Sequence, residues 1–371
     1  MKWLMTRFSL ALVLTAALLW GCATATPRKE ARGPVFYPPL PNAPRIQHLA
    51  SFSTAADLAK PQSGFAEFVV GKDPKEKYSV KKPYGVGISQ GKIYVVDTAG
   101  AGYAVFDLKN RQLSAVAGSG GGKMSKPINI AIDGDGTKFV TDTGLNQVLA
   151  FDKGDNFVRA YGVKDQFKPS GVAVSGTRLY VSDLKNHKIH VLDKTTGSTL
   201  FEFGKPGNKE GELSYPTNIV IGPDDHVYVT EIGNFRIQKF TLDGKLVRAY
   251  GEIGDLPGQF ARPKGVAVDR EGHIYTVDAA FENIQVLDQE GRLLLFFGGP
   301  GGNREDINLP TSMVIDYENA PLFQQYADPG FRLEYVVLVA SQFGASKINV
   351  FGYGKMDGMD YKGMEPVPPR K

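Results

Sequence analysis

Five acidic residues recur at one position of a repeated pattern and are the first candidates for acid–base or metal chemistry. Neighbouring carboxylates can share a proton or bind a cation. One carboxylate per repeat is instead typical of a structural residue, because a short acidic side chain accepts N–H groups from the turn that follows it. The sequence favours the structural role. The five residues are Asp97, Asp142, Asp183, Glu231 and Asp278, with Ser341 at the equivalent place of a sixth repeat.

Polar residues that interrupt the repeat are more informative. Two residues after each of six recurring prolines, the sequence alternates between glycine and a polar residue. If these positions surround one axis, the polar three converge with threefold spacing. Their oxygens would suit calcium, but calcium takes roughly six to eight oxygen ligands with some negative charge, and no Asp or Glu accompanies them. Ordered water is therefore favoured over calcium, which stays the alternative. The polar residues are Asn129, Asn218 and Ser312, and the glycines are Gly85, Gly171 and Gly265.

Other catalytic signatures are missing from the sequence. The five histidines show no H-x-x-x-H spacing. No serine lies in a G-x-S-x-G context, and no P-loop is present. The formal net charge of +4 in 371 residues does not indicate a nucleic-acid partner.

The spacing of the six prolines predicts the fold. The gaps between them are 44, 42, 47, 47 and 47 residues, and a glycine follows the first five at a constant 35 residues. Each repeat holds four short apolar segments separated by turn residues. A period of this length with four strands is typical of a β-propeller. The sequence therefore predicts an all-β, six-bladed β-propeller. The prolines are Pro83, Pro127, Pro169, Pro216, Pro263 and Pro310.

The last repeat is incomplete and predicts how the ring closes. It supplies three strand segments, within 312–317, 334–341 and 347–351, and then becomes polar. Residues 46–53 resemble the fourth strands of other repeats. We therefore expect this N-terminal segment to complete blade six, which removes an open sheet edge. The propeller is predicted to span residues 46–354, followed by a disordered C-terminal tail at 355–371.

Several segments resemble a known repeat family. The segments 94–98, 228–238 and 265–269 are similar to NHL repeats, and the similarity extends over residues 83–354. The resemblance implies a six-bladed propeller of the kind found in bacterial lipoproteins. The NHL group includes binding platforms and a few enzymes. The placement of Asn129 and Asn218, and in part of Ser312, also resembles the central ion site of calcium-dependent propeller lactonases.

The N-terminus is typical of a lipoprotein signal peptide. Lys2 and Arg7 precede an apolar run that ends in Leu-Trp-Gly before Cys22, the only cysteine. This resembles the bacterial lipobox, which implies lipidation of Cys22. We expect a signal peptide at 1–21, a Pro-rich tether at 22–45, and an outer-membrane lipoprotein whose body lies in the periplasm or at the cell surface.

One insertion stands out in the sixth repeat. Residues 318–332 separate its first two strands, where other repeats use a short turn. Aromatic and apolar residues in such a loop either anchor a partner or fold back onto the blade. The sequence leaves both open for Leu322, Phe323, Tyr326 and Phe331.

Together these features favour a non-catalytic, membrane-tethered scaffold that needs no cofactor and binds a protein or polymer of the cell envelope. The alternative is a calcium-dependent lactonase, hydrolase or lyase with its site at the channel mouth. The sequence identifies neither the partner nor the oligomeric state.

Overall fold

The computed structural model describes residues 33–58, 78–163 and 166–361. The chain divides into two compact units, Met1–Pro34 and Val35–Lys371. The second unit is a ring of six antiparallel sheets, so the predicted six-bladed β-propeller is confirmed. The predicted signal peptide, Cys22 and the first part of the tether lie outside the described residues. No helix in the described ranges is long and apolar enough to cross a bilayer.

Each of the first five blades is a four-stranded meander whose strands follow chain order. Their strands are β3 Pro83–Ser89, β4 Lys92–Asp97, β5 Gly102–Asp107 and β6 Gln112–Val116; β7 Pro127–Ile132, β8 Lys138–Asp142, β9 Gln147–Phe151 and β10 Phe157–Tyr161; β11 Pro169–Ser175, β12 Arg178–Asp183, β13 Lys188–Asp193 and β14 Thr199–Phe203; β15 Pro216–Ile221, β16 His226–Glu231, β17 Arg236–Thr241 and β18 Leu246–Tyr250; β19 Pro263–Val268, β20 Ile274–Asp278, β21 Asn283–Leu287 and β22 Leu293–Phe297.

The sixth blade combines both ends of the chain. Its sheet order is β1, β2, β25, β24, β23. These strands are β1 Phe36–Tyr37, β2 Ile46–Phe52, β23 Asn308–Asp316, β24 Phe331–Phe343 and β25 Ile348–Met356. In the antiparallel pairing of β2 with β25, Ile46 lies opposite Tyr353 and Phe52 lies opposite Ile348. The predicted closing strand is therefore confirmed.

The closure extends beyond the predicted strand. β1 adds a fifth strand to the sixth sheet, and the Phe36 ring packs 5.7 Å from that of Phe331. From the other end of the chain, the Tyr361 hydroxyl donates a 2.8 Å hydrogen bond to the carbonyl of Pro44. Residues assigned from sequence to the tether and to the tail thus pack on blade six, because they carry aromatic side chains that the blade edge buries.

Two recurring residues shape each blade at the face where the chain crosses to the next blade. We call this end of the ring the crossing face, and the opposite end, with the short hairpin turns, the turn face. The closing glycines adopt φ between 72° and 91°, a left-handed conformation that glycine tolerates best. They are Gly118, Gly162, Gly204, Gly251 and Gly298.

The recurring carboxylates are structural, as predicted. Asp97 accepts backbone N–H groups from Lys81 and Lys82, at the start of its blade, and from Ala99 and Gly100 in its own turn, at 2.9–3.1 Å. Asp142 and Asp278 accept the same four kinds of donor. Each carboxylate therefore joins the start of the first strand to the end of the second.

The core lies between the sheets. A buried apolar cluster fills every gap between neighbouring blades, including the gap between blades six and one. In that gap the ring of Phe52, on the closing strand, packs 5.8 Å from the ring of Phe106. A single blade has no such core of its own, so the blades stabilise one another.

Candidate functional site

The first strands of the blades surround a central cavity of about 220 Å³. Asn129, Asn218 and Ser312 all line it. Asn129 Nδ2 donates a 2.8 Å hydrogen bond to Asn218 Oδ1. Asn218 Nδ2 in turn donates at 3.4 Å to the carbonyl of Thr311 in blade six. These bonds connect blades two, four and six across the axis.

The glycines of the alternating blades leave room for these polar residues. A Cβ added at Gly85 would lie 2.7 Å from both Cα and Oδ1 of Asn129. A Cβ at Gly265 would lie 2.8 Å from Cα of Ser312. A side chain at Gly85 or Gly265 would thus collide with the polar residue of the next blade, and a Cβ at Gly171 would lie 2.6 Å from the carbonyl oxygen of Thr217. The alternation follows from the narrowness of the axis.

The polar ring does not fit calcium. The lining residues of the cavity include no carboxylate, and most of the remaining lining is aliphatic. Asn218 Oδ1 already accepts the amide of Asn129, and Asn129 Oδ1 lies 3.0 Å from the N–H of Ile130. Calcium needs more oxygens and negative charge than this arrangement offers. Asn129 and Asn218 instead satisfy one another and the backbone.

A cluster that sequence reasoning did not single out lies on the turn face of blade five. Asp269, Glu271 and His273 hold ligand-type atoms within 4.8 Å of one another. Asp269 Oδ1 accepts the backbone N–H groups of Glu271 and His273. Its Oδ2 lies 2.8 Å from His273 Nδ1 and 3.2 Å from the hydroxyl of Tyr335. Although burial favours the neutral ring, the hydrogen bond to Asp269 raises the pKa of His273. The cluster therefore fixes a turn.

The insertion in blade six folds back onto the ring. It forms a helical turn, Ala320–Phe323, and a 3-10 turn, Gln324–Tyr326. Phe323 and Phe331 are fully buried, and Leu322 packs against the core between blades six and one. Tyr326 alone of the four residues is exposed, at 37%. Phe323 and Phe331 are therefore packing residues, while Tyr326 stays at the surface.

The crossing face carries a group of basic residues that the sequence reasoning did not identify. At the position before the opening proline, four blades carry an exposed cation. Because this position starts the first strand in every blade, the cations surround the mouth of the channel. They are Lys82, Lys126, Lys168 and Arg262; Tyr215 and Leu309 occupy the other two places.

Lys264 directly follows an opening proline and lies further into the same channel mouth than the cations at the rim. Its side chain is only 9% exposed. Nζ lies 5.9 Å from the ring centroid of Tyr84, which belongs to blade one, so the side chain extends across blade six toward the axis. Within the described ranges no carboxylate pairs with it. Burial, and then the nearby charge of Arg262, lower the pKa of Lys264 to about 8.

Exposed apolar side chains lie on the same face. Four of them belong to the loops between blades, and Phe343 ends β24. Each is at least 50% exposed. These residues are Val163, Tyr215, Ile253, Leu256 and Phe343.

Comparisons with known proteins agree with the fold. No family model matches the chain. Protein brain tumor of Drosophila melanogaster is 36% identical over 95 residues, which make up 24% of this chain and 9% of that protein. The chain therefore spans less than a tenth of the length of this relative.

Solved structures match over most of the chain. A gluconolactonase from Xanthomonas campestris aligns with a TM-score of 0.57 and 14% identity over 87% of this chain and 96% of that one. Virginiamycin B lyase from Staphylococcus aureus aligns with a TM-score of 0.51 and 17% identity over 73% and 80%. At such identities the likeness shows the propeller fold and leaves the activity open.

The close approach at the axis predicts the effect of one methyl group. Gly85→Ala should destabilise the protein by about 1–3 kcal/mol, because the added Cβ meets backbone that cannot move freely. Gly134→Ala, where no atom lies within 4 Å of the added Cβ, should change stability by less than about 0.5 kcal/mol. Urea denaturation of both variants measures the difference. Equal stabilities would contradict the packing account of the alternation.

The burial of Lys264 predicts that the stability of a Lys264→Met variant relative to the native protein depends on pH. Lys264→Met should stabilise the protein at pH 7 by about 1–3 kcal/mol, because it removes a buried charge without an anionic partner. The folded-state pKa lies near 8, below the ordinary value of 10.5. The folded state therefore holds fewer protons between these values, and stability rises with pH there. The difference in the free energy of unfolding between the variant and the native protein is therefore largest below pH 8 and decreases toward pH 10.5.

The measurement is urea denaturation at several pH values from 7 to 10.5. The control is Lys153→Met, which removes an exposed lysine on the turn face and should show no such pH-dependent gap. A Lys264→Met variant that is less stable than the native protein at pH 7 would show that Lys264 has a partner in the folded state.

Proposed function

We propose that this protein is a membrane-tethered propeller of the bacterial cell envelope that binds another protein at its crossing face. The observation that carries the proposal is the composition of that face. It combines exposed apolar side chains, such as Ile253 and Leu256, with cations around the channel mouth. Interfaces commonly have apolar anchors of this kind within a polar rim.

The construction of the ring suits a binding platform. The interlocked blades hold the loops of the crossing face in fixed positions, since the strand-end carboxylates join those loops to the sheets. A rigid surface loses little conformational entropy when a partner binds. The polar groups at the centre of the axis are occupied with one another, which favours binding over calcium-dependent hydrolysis.

The tether is the second part of the proposal. The lipobox-like segment before Cys22 supports a lipid anchor at the outer membrane, with the residues between Cys22 and β1 as a spacer. The body then lies in the periplasm or at the cell surface, where an envelope protein can reach its crossing face.

The docking proposal predicts position-dependent crosslinks in intact cells. A photoreactive amino acid at Ile253 or Tyr215 should give a discrete adduct, because these side chains would lie under the partner. The same group at Leu294, on an outer strand, is the control; its exposure of 46% is close to the 50% of Tyr215. Adducts are measured by electrophoresis and mass spectrometry. Crosslinking at Leu294 alone, or equally at all three positions, would contradict docking at the crossing face.

The anchor predicts a change in membrane partitioning. Cys22→Ser should abolish lipid attachment, because serine lacks the thiol that the acylation uses. The variant should move from the detergent phase to the aqueous phase in detergent partitioning, while its circular dichroism spectrum stays that of the native propeller. Unchanged partitioning would exclude Cys22 as the site of attachment.

A further inference from the structure

We propose that the channel mouth on the crossing face is an anion site, and that it binds a carboxylate-rich segment of the protein partner, with Lys264 as the central cation. This inference rests on the proposed function and names the chemistry of the partner. It is carried by the geometry of the mouth and by the environment of Lys264.

The first argument is the isolation of Lys264. More than nine-tenths of its side chain is buried, yet in the described part of the chain it forms no ion pair. Its ammonium group lies over the face of the Tyr84 ring. Burying an unpaired ammonium group costs stability. An anion that binds at the mouth would supply the missing partner.

The second argument is the distribution of charge around Lys264. Lys82, Lys126, Lys168 and Arg262 occupy the equivalent position of four blades and are exposed. Asp97, Asp142 and Asp278 are buried and accept backbone N–H groups, so the charged groups that reach solvent at these positions are the cations. Cations on the wall of an opening raise the local concentration of anions. An anion that approaches the mouth therefore meets exposed cations at its rim.

The third argument concerns the kind of anion. Ser170 and Thr311 directly follow the opening prolines of their blades, as Lys264 does, but Ser170 Oγ donates to the carbonyl of Pro216, and Thr311 Oγ1 donates to that of Tyr84. The charged donors at the mouth are the ammonium and guanidinium groups. Apolar residues such as Ile253 and Leu256 lie on the same face. An acidic peptide with apolar flanks matches both features, whereas a free inorganic ion would use only the cations.

The test is a titration of the full-length protein in detergent with a fluorescent hexaglutamate peptide, followed by anisotropy. The native protein should bind it with an affinity that falls as salt is added. Lys264→Met should weaken binding about tenfold or more, since one charged hydrogen-bonding partner is lost. This variant is expected to be more stable than the native protein, so weaker binding would not reflect unfolding.

Matched controls separate the site from general charge. Lys153→Met removes the same charge from the turn face and should change the affinity by less than about twofold. A hexaglutamine peptide should not bind. Inorganic phosphate distinguishes the source of the anion: competition only at concentrations far above those of hexaglutamate supports a peptide site, and stronger binding of phosphate overturns it.

Two further results would overturn the proposal: no binding of hexaglutamate by the native protein, or equal weakening by Lys264→Met and Lys153→Met. Either outcome is distinguishable from failure of the docking proposal. If either occurs while position-dependent crosslinks at Ile253 persist, docking is retained and the anion site is excluded. Loss of position-dependent crosslinks in the native protein would instead remove the docking surface itself.

Discussion

The hydrogen-bonded pairing of β2 with β25 is the constraint on which the ring depends. Without it, the sixth sheet would end in an open edge, and the apolar cluster between blades six and one would lose Phe52 and Leu49. Open edges of this kind attract other strands. Because every gap between sheets is filled by residues of two blades, closing the last gap lets all six clusters support one another.

Closure of the ring also crowds the side chains at the central axis. Six first strands meet there in little space, so glycine in one blade faces a polar residue in the next, as at Gly85 and Asn129. Asn129 and Asn218 form hydrogen bonds with one another and with the backbone. Lys264 departs from this pattern, because it is buried without a carboxylate partner. Residues that lower the stability of the folded state in this way are common at ligand-binding sites.

Much of this architecture could be predicted from sequence because it repeats. The proline spacing, the strand-end carboxylates and the orphan segment at 46–53 each have counterparts in other blades, so their roles follow from comparison within the chain. Phe36–Tyr37 could not be assigned, since a two-residue strand has no periodicity. Phe323 and Phe331 were ambiguous, because an insertion has no counterpart. Lys264 could not be identified from sequence, because its environment depends on its proximity to Tyr84, four blades earlier in the chain. The cations before several prolines could have been noticed in the sequence.

The route of the chain through blade six has a consequence for biosynthesis. Ile46 pairs with Tyr353, so two neighbours in the same sheet lie 307 positions apart in the sequence. During translation, the early segment emerges long before its counterpart has been made. Five sheets can stack before this segment finds its partner strand, and contacts of such long range form slowly. The ring therefore closes only after synthesis has reached β25, and the early segment stays unpaired until then.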